Sequence, residues 1–490
     1  MVEGEGKKGL VREKEKGKIF LFGSYVEAQN FGLTAKQHEP PPPALAYLDA
    51  VLKKEGYNVV TRDYAFWNER DYLDEVRNVI EEFKPDIVGI SVMTMTRVST
   101  YKAIKLIKQL NSKIKIILGG IHASMMYKQL IENFPIDAVC VGEGEITIIE
   151  LVDALLKNKP LNKIKGIAYK NKRDNVIVTP QRELIHNLDE IPFPDYKAHV
   201  KPHVKQIDMV SSRGCPNKCS FCCLHAVSKQ RWRPRGYMDV VNEIEYIIKN
   251  LPWIEKISFM DDTMILDNQR IINMCKEIVK RGIKISLQCS ARIKPVSREL
   301  FYWMEKAGFD EIRFGIETGS PRLMEAIHKN ITQEDCIRCF KILSEFKKIN
   351  VVKFLIVGFP GETDETVNET IEFVKRLQKI IKMDFFAVNP LWVYPMTEVY
   401  EVAKKAGFID DDYWLTDKPC PFFIVEHSEK KLKEMANRIA IETSMAQGKI
   451  YFLKLMLKRI KWRPKYYLRR ITQLSGKDLN RILRNYIFKG

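Results

Sequence analysis

The sequence predicts an α/β protein: a Rossmann-like (flavodoxin-like) domain, then a partial (β/α)6 barrel of the TIM type, then a helical and basic C-terminal extension. Three observations support this fold class. Short apolar strands alternate with amphipathic helices over residues 18–160. The alternation resumes between residues 205 and 425, with six strands. Polar or glycine-rich segments follow five of those six strands. Apolar, β-branched strands that alternate with helices are typical of parallel sheets.

The composition is that of a globular protein with a large core. Hydrophobic residues make up 45% of the 490 residues, enough for two or three domains of about 100–200 residues each. No apolar run approaches the roughly 18 residues of a membrane-spanning helix. Residues 1–17 are charged and lack a hydrophobic segment, so we predict a flexible leader rather than a secretory signal. We expect a cytoplasmic protein whose ten cysteines are buried thiols and a metal site, not disulfides.

The first domain is expected to span residues 18–160 with five parallel strands joined by helices. The predicted strands are 18–22, 57–60, 86–91, 115–118 and 137–141, and the predicted helices are 44–55, 73–83, 100–110, 124–134 and 146–156. Residues 161–204 are predicted to form a hairpin, with strands 167–169 and 176–179, and a stiff proline-containing linker.

The partial barrel is expected to span residues 205–425. Its predicted strands are 206–211, 256–260, 284–289, 311–315, 351–357 and 385–391. Chemistry in barrels of this type lies where the strands end, at their C-terminal mouth. The segments that follow the first five strands are 214–222, 261–262, 290–292, 317 and 358–362. The sequence therefore predicts one site at the barrel mouth.

Three cysteines in that region are spaced for an iron–sulfur cluster. RGCPNKCSFCC places Cys215, Cys219 and Cys222 in a CxxxCxxC pattern on one short loop. Such spacing brings three thiolates to one cluster, and three ligands on a [4Fe–4S] cluster leave one iron open for another molecule. A structural zinc site is the alternative, with Cys223 or His225 as the fourth ligand. Cys223 is otherwise read as a small buried residue.

Together with SAR, FGIETGS and VGFPGET further along the chain, this motif resembles the radical SAM superfamily over residues 205–425. The resemblance implies that the open iron chelates S-adenosylmethionine, which is cleaved to methionine and a 5′-deoxyadenosyl radical. It also implies contacts from Phe221 to the adenine, from Ser290 and Arg292 to the methionine carboxylate or ribose, from Glu317 to the ribose hydroxyls, and from Gly358 and Gly361 alongside the adenine. For Asp261 and Asp262, cofactor or substrate contact and a structural loop role both stay open.

The first domain resembles the cobalamin-binding domain found upstream of radical SAM barrels, through GISVMT, LGGIHAS and VCVGEGEIT. That resemblance implies cobalamin contacts at strand ends, from Ser91, Thr94, Gly119, Gly120, Gly142 and Glu143. No DxHxxG follows the first strand, and His122 lies in another loop, so we expect no histidine ligand to cobalt. The alternatives are a domain that has lost its cofactor or one that binds another nucleotide.

The C-terminal region, residues 426–490, is predicted to be helical and basic. Residues 449–490 hold thirteen Lys or Arg and one acid, Asp478, within a net charge of +18 for the chain. Three interpretations stay open: a helical cap on the barrel, contact with an anionic membrane surface, and nucleic-acid binding, which is the least favoured.

The combined resemblances predict a radical SAM enzyme that uses a [4Fe–4S] cluster, S-adenosylmethionine and cobalamin to methylate an unactivated carbon. A cobalamin-dependent cyclase or carbon-skeleton rearrangement enzyme, on a lipid or tetrapyrrole, is the alternative within the same cofactor chemistry. The alternative of another class is a non-catalytic cobalamin carrier or sensor. The expected partners are a small-molecule or lipid substrate, a low-potential donor such as ferredoxin or flavodoxin, and a peripheral membrane surface. A methylthiotransferase is disfavoured, since Cys140 is the only cysteine in the first domain.

Overall fold

The computed structural model describes residues 16–26 and 40–448, without the side chains of residues 384–387. The first domain is built on a seven-stranded sheet in the order β2-β1-β3-β4-β5-β6-β7. Its strands are β1 (Lys18–Gly23), β2 (Asn58–Asp63), β3 (Ile87–Ser91), β4 (Lys115–Gly119), β5 (Ala138–Cys140), β6 (Ile167–Lys170) and β7 (Val176–Val178). Its helices are α1 (Pro43–Lys54), α2 (Glu69–Phe83), α3 (Arg97–Leu110), α4 (Ile121–Asn133) and α5 (Glu145–Leu156).

The five parallel strands β1 to β5 follow the order of a flavodoxin-like sheet, as predicted. The central strands β1, β3 and β4 form because most of their residues are apolar on both faces and helices cover both sides. Ile19 and Phe20 are neighbours on β1 that point to opposite faces, and both are fully buried. In an open sheet of this order, ligands bind beyond the carboxyl ends of the strands. These ends are Gly23, Asp63, Ser91, Gly119 and Cys140.

The hairpin predicted from the sequence is present as β6 and β7, and it joins the first sheet. β6 pairs antiparallel with β5, and β7 pairs with β6. The first sheet therefore continues beyond residue 160 and includes the hairpin. The physical reason is that Ile167 and Ala168 on β6 are fully buried, so the hairpin extends the core of the domain. The short helix α6 (Tyr196–His199) then leads into the barrel.

The second domain is a six-stranded parallel sheet in the order β15-β14-β13-β12-β11-β8, which confirms the partial barrel. Its strands are β8 (Gln206–Met209), β11 (Lys256–Phe259), β12 (Ser286–Ala291), β13 (Phe309–Glu317), β14 (Asn350–Val357) and β15 (Met383–Pro390), and β9 (Ser212–Arg213) with β10 (Arg233–Pro234) forms a separate two-stranded ribbon. The helices are α7 (His225–Ser228), α8 (Tyr237–Asn250), α9 (Asn268–Lys280), α10 (Arg298–Ala307), α11 (Pro321–Ala326), α12 (Gln333–Leu343), α13 (Asp364–Ile380) and α14 (Glu398–Lys405).

Helix α15 (Glu429–Ala446) follows the barrel and packs on it. The side chain of Ser428 caps the first turn of the helix by accepting a hydrogen bond from the amide of Lys431. Leu432 and Ile439 of the helix are buried in the barrel core. The basic segment 449–490 lies outside the described residues. Within residues 16–26 and 40–448, no helix has the length and apolar character that crossing a membrane requires.

Candidate functional site

We call residues 214–222 the cysteine loop. It leaves the β9–β10 ribbon through a glycine that no other residue replaces easily. Gly214 has φ +85°, and a Cβ there would overlap the carbonyl oxygen of Arg231. Its amide donates to Oδ2 of Asp262 at 2.8 Å. Cys215, the next residue, accepts a hydrogen bond at Sγ from the side-chain amide of Asn217 at 3.5 Å. These contacts fix where the first cysteine begins the loop.

The rest of the loop turns tightly and is bound to the barrel wall. The amide of Cys222 donates to the carbonyl of Cys219 at 3.1 Å, and Nδ1 of His225 lies 2.8 Å from the carbonyl of Cys222. His225 is therefore turned to the backbone. Ser220, between the cysteines, donates from its amide to Ile327 and accepts from Val399, both at about 3.1–3.2 Å. The loop is held on both sides by the mouth of the barrel.

The pKa values of Cys219 and Cys222 are affected by neighbouring cysteine thiols, which indicates that the three thiols lie close together. Burial, together with the neighbouring thiols of Cys219 and Cys215, raises the pKa of Cys222 to about 11. Burial also raises the pKa of Cys219, while the charges of Lys329 and Arg292 oppose that shift. Such thiols stay protonated until iron displaces the proton, because metal binding and deprotonation are coupled.

Among the described residues, no group of three or more His, Cys, Asp or Glu side chains is arranged to hold a single metal ion. An iron–sulfur cluster requires a different arrangement of ligands, because each thiolate binds a separate iron of the cluster. Three neighbouring thiols on one loop, beside two cationic side chains that offset cluster charge, fit such a group.

Glu317 lies next to this loop in a conformation that is uncommon for its residue type. It ends β13 at a register shift, with φ +65°, and its carboxylate forms a buried ion pair with Lys329. A Cβ on Gly315 would overlap both charged groups, so this glycine makes room for the pair. Nη2 of Arg292 donates to the carbonyl of Lys329 at 2.8 Å, which leaves its other donors for a ligand. Ser290 lies half-buried two residues earlier on β12.

The segment after β14 folds back on a buried carboxylate. Gly358 and Gly361 have φ +92° and +78°, and the amide of Gly358 donates to the carboxylate of Glu362. Burial raises the pKa of Glu362 to about 7. Phe359, between the glycines, packs edge-to-face on Phe221 with ring centroids 5.6 Å apart. The structure thus brings together the aromatic residue of the cysteine loop and the glycine-rich segment.

The two aspartates of FMDD have different roles in the loop structure. Asp261 is buried and accepts from the amide and hydroxyl of Ser211 at 2.7 Å and from the hydroxyl of Ser212. Asp262 accepts from the amide of Gly214 and also faces a cavity. Asp261 therefore supports the backbone that enters the ribbon, and Asp262 supports the start of the cysteine loop.

A cavity of about 300 Å³ lies beyond the carboxyl ends of the first sheet. Its first-domain wall includes the predicted residues Ser91, Gly119, Gly120, Gly142 and Glu143. Apolar side chains form much of the rest of that wall, among them Leu21, Leu45, Ile117, Cys140 and Ile148. The opposite wall comes from the barrel: Ser212, Arg213, Gly214, Leu224, Val227, Ser228, Arg233, Met260 and Asp262.

Two features of the wall suit a bulky nucleotide-bearing ligand. A Cβ on Gly119 would meet only the Cβ of Cys140, at 3.9 Å, so the glycine leaves space rather than avoiding a neighbour. Nε of Arg233, which also lines the cavity, is buried and has no hydrogen-bond partner among the described residues. Buried donors are normally satisfied, so this atom is suited to a bound molecule or water.

Thr94 and Glu143 bond to protein groups. Thr94 is buried and its Oγ1 lies 3.2 Å from Nδ1 of His122. Burial lowers the pKa of His122 to about 3, so the imidazole stays neutral, and its Nε2 is buried without a partner in the described part of the chain. Glu143 lines the cavity, but Arg233 donates to both of its carboxylate oxygens, at 2.7 and 2.9 Å.

The sequence did not single out Lys329, Arg213 or Arg233. Lys329 lies in the loop between α11 and α12, outside the segments that follow strands. Arg213 directly precedes the cysteine loop, and this position in the RGC sequence is the feature from which it could have been predicted. Arg233 lies on the short strand β10, whose pairing with β9 is not visible in a pattern of two residues.

A partial barrel with a cysteine loop at its mouth, joined to a flavodoxin-like domain whose strand-end cavity the loop completes, defines a radical SAM enzyme with a corrin-binding domain. Comparison with protein families agrees. The profile described as the radical SAM superfamily matches residues 209–374, and the profile described as the B12 binding domain matches residues 33–152.

Relatives extend over most of the chain. An uncharacterized methyltransferase of Pyrococcus horikoshii is 34% identical over 74% of this chain and 78% of the relative. An anaerobic magnesium-protoporphyrin IX monomethyl ester cyclase of Rubrivivax gelatinosus is 31% identical over 68% of this chain and 62% of that protein. The chain belongs to the cobalamin-binding group of the radical SAM superfamily. The predicted enzyme class is thereby confirmed, and the predicted [4Fe–4S] cluster, S-adenosylmethionine and cobalamin are the cofactors of this family.

Solved structures of similar fold include TsrM, a radical S-adenosylmethionine methyltransferase of Kitasatospora setae. It matches with a TM-score of 0.65 and 22% identity, over 80% of this chain and 76% of TsrM. OxsB, a cobalamin-dependent S-adenosylmethionine radical enzyme, matches with a TM-score of 0.63 and 22% identity, over 82% of this chain and 57% of OxsB. At these identities the likeness concerns the fold, and it confirms the predicted arrangement of the two domains.

Proposed function

We propose that the protein transfers a methyl group to an unactivated carbon of a small-molecule substrate. When bound, the cluster and S-adenosylmethionine supply a radical that abstracts hydrogen, and cobalamin supplies the methyl group. One observation carries the proposal: the start of the cysteine loop and helix α7, which directly follows the loop, form a wall of the cavity at the strand ends of the first domain, through Gly214, Leu224 and Ser228 among others. A ligand in that cavity lies next to the cluster loop, as methyl transfer to a substrate radical requires.

The residues of the barrel mouth would then hold S-adenosylmethionine. Cys215, Cys219 and Cys222 would ligate the cluster, as the CxxxCxxC spacing supports. The free donors of Arg292 suit a carboxylate, and the carboxylate of Glu317 suits the ribose hydroxyls. Phe221 and the segment from Gly358 to Gly361 would face the adenine, where positive-φ glycines permit close approach of the backbone.

In the first domain, Ser91, Gly119, Gly120 and Gly142 would contact the nucleotide part of cobalamin. The serine hydroxyl can bond an amide or phosphate oxygen, and the glycines keep the cavity open. Thr94 would act through His122, which it contacts, rather than on the ligand. His122 is buried under Trp414, with ring centroids 6.0 Å apart, which supports a cobalamin bound without a histidine ligand.

The relatives also include a cyclase at 31% identity, so cyclisation or carbon-skeleton rearrangement is the second candidate. The two functions differ in whether the corrin carries a methyl group. A low-potential ferredoxin or flavodoxin is proposed as the electron donor for either. A lipid substrate and a peripheral membrane contact rest on the basic segment 449–490 of the sequence.

The test needs no substrate. The protein is reconstituted anaerobically with iron, sulfide and hydroxocobalamin, then given titanium(III) citrate and S-adenosylmethionine with a deuterated methyl group. Methyl transfer predicts three products: 5′-deoxyadenosine, S-adenosylhomocysteine and a corrin that carries the deuterated methyl. Deoxyadenosine without the other two would favour the cyclase function, and absence of all three would favour a carrier or sensor. Cys222→Ala serves as the matched control, because loss of the cluster should abolish deoxyadenosine formation.

A further inference from the structure

Four buried charged side chains connect the two domains beside the cavity. Glu143 and Glu145 come from the first domain, and Arg213 and Arg233 come from the β9–β10 ribbon; we call these four residues the interdomain ion cluster. Nη2 of Arg213 lies 2.6 Å from Glu145, and its Nη1 lies 3.4 Å from Glu143. Arg233 binds Glu143 through both terminal nitrogens, at 2.7 and 2.9 Å. The side chains are 7–20% exposed.

Such an arrangement contributes more to the relative position of the two domains than to the net free energy of folding. Desolvation of buried charges offsets much of their attraction, whereas removing one partner leaves an uncompensated charge and costs about 3–5 kcal/mol. The four groups therefore favour one relative position of the two domains. Arg213 is held further by Tyr47 of α1, whose ring centroid lies 5.6 Å from the guanidinium carbon.

The interdomain ion cluster extends from the cavity of the first domain to the cysteine loop of the barrel. On the first-domain side, Glu143 lies between Gly142 and Gly144, and all three line the cavity. On the barrel side, Arg213 is bonded to Gly214, which leads directly to Cys215. Only Gly214, whose amide is bonded to Asp262 at 2.8 Å, separates Arg213 from Cys215, so a displacement of Arg213 reaches the cysteine loop through the backbone.

We propose that the interdomain ion cluster couples occupancy of the cavity to the geometry of the cysteine loop, with Glu145 and Arg213 as positioning residues. A ligand that orders the 142–144 segment orders the two glutamates, and the glutamates place Arg213 and the start of the loop. The unpartnered Nε of Arg233 lets a ligand act on the second arginine directly. The inference rests on the proposed use of cobalamin and of the iron–sulfur cluster.

Thermodynamic linkage gives the proposal a quantitative test, since coupling between two sites is reciprocal. Equilibrium dialysis of hydroxocobalamin is carried out with protein that carries the reconstituted cluster and with apo protein. We expect the dissociation constant to be roughly tenfold lower with the cluster, within the range usual for coupled sites. In Glu145→Gln, which keeps the size of the side chain and removes its charge, the two constants should agree within about twofold.

The matched control is Glu299→Gln, the same change at an exposed ion pair with Lys276, 3.3 Å long, on the outer face of the barrel. It should keep the wild-type ratio. A wild-type ratio near one, or an unchanged ratio in Glu145→Gln, would overturn the coupling. Wild-type protein that retains no corrin would instead overturn the proposed use of cobalamin.

A second readout does not depend on corrin affinity. With excess titanium(III) citrate to keep the cluster reduced and S-adenosylmethionine bound, the g values of the cluster signal in the electron paramagnetic resonance spectrum should shift when the corrin is added to wild-type protein and stay unchanged in Glu145→Gln; the separate cob(II)alamin signal is not used. If Glu145→Gln does not fold, Glu145→Asp replaces it: the charge is kept, the side chain is shorter, and both responses should be weakened. Full wild-type responses in that variant would count against the proposal.

Discussion

Lys329 and Glu317 form a buried ion pair in the barrel mouth, beside the cysteine loop. The pair exists because Gly315 leaves space for it and because β13 ends with Glu317 in a left-handed conformation. Arg292 is bonded to the backbone of the same lysine at 2.8 Å. The position of one lysine in a loop therefore governs both side chains proposed to hold S-adenosylmethionine.

We predict that Lys329→Met weakens binding of S-adenosylmethionine by about tenfold or more, because Glu317 loses the partner that orients it, and breaking a buried pair is worth several kcal/mol. The measurement is the KM for S-adenosylmethionine in 5′-deoxyadenosine formation, compared with kcat. Lys329→Arg should restore most of the affinity. Lys294→Met removes an exposed lysine from its pair with Asp335 and serves as the control. An unchanged KM in Lys329→Met would contradict the positioning role.

The cysteines offer an internally controlled prediction. Cys222→Ala should lower the iron content after reconstitution to well below that of the wild type and abolish deoxyadenosine formation. Cys223→Ala changes the adjacent residue, which lies outside the CxxxCxxC spacing. It should retain iron and activity. Iron and sulfide analysis of both variants distinguishes a three-cysteine site from a zinc site that uses Cys223, since the latter predicts metal loss in both.

The sequence was sufficient for the fold because the signals are local. Apolar strands between helices predicted the parallel strands of both sheets, and strand ends predicted Ser91, Gly119 and Gly142 on one cavity wall. Pairing between distant residues has no local signal. Arg233 lies ninety residues beyond its partner Glu143 in the chain. The hairpin was predicted from its own residues, but its pairing with β5 was not, for the same reason.

The turn at Met396 is another feature that a local pattern does not reveal. Met396 has φ +60°, in the left-handed region that favours glycine, and its side chain is about half exposed. A residue with a Cβ adopts this conformation at a cost of about 1–2 kcal/mol.

The cavity yields a graded prediction. Gly119→Ala should change hydroxocobalamin affinity little, because its Cβ meets only Cys140 at van der Waals distance. Gly119→Leu should weaken binding by at least about tenfold, since the larger side chain projects into the cavity while the fold is undisturbed. Equilibrium dialysis gives the affinity, and thermal midpoints within about 2 °C of the wild type verify folding. Equal losses in both variants would show a backbone effect instead of filled space.

The raised pKa of Glu362 predicts that the folded protein loses stability as the pH rises. Burial raises that pKa from an ordinary value of 4.5 to about 7 in the folded protein. The folded state therefore binds the proton more tightly than the unfolded state, and this contribution to stability is complete below pH 4.5 and lost as the pH rises to about 7. The shift corresponds to about 3 kcal/mol at most. We expect the thermal midpoint of the wild type to fall by a few degrees between pH 5 and pH 8 from this group.

Glu362→Gln should remove that fall, because glutamine keeps an oxygen that accepts from the amide of Gly358 and carries no charge at any pH. His427 and Glu426 face the same carboxylate, so the profiles are compared at fixed ionic strength. Differential scanning fluorimetry across the pH range makes the measurement. Glu365→Gln, which removes an exposed carboxylate at the start of α13, should follow the wild-type profile. A Glu362→Gln profile parallel to that of the wild type would place the titration elsewhere.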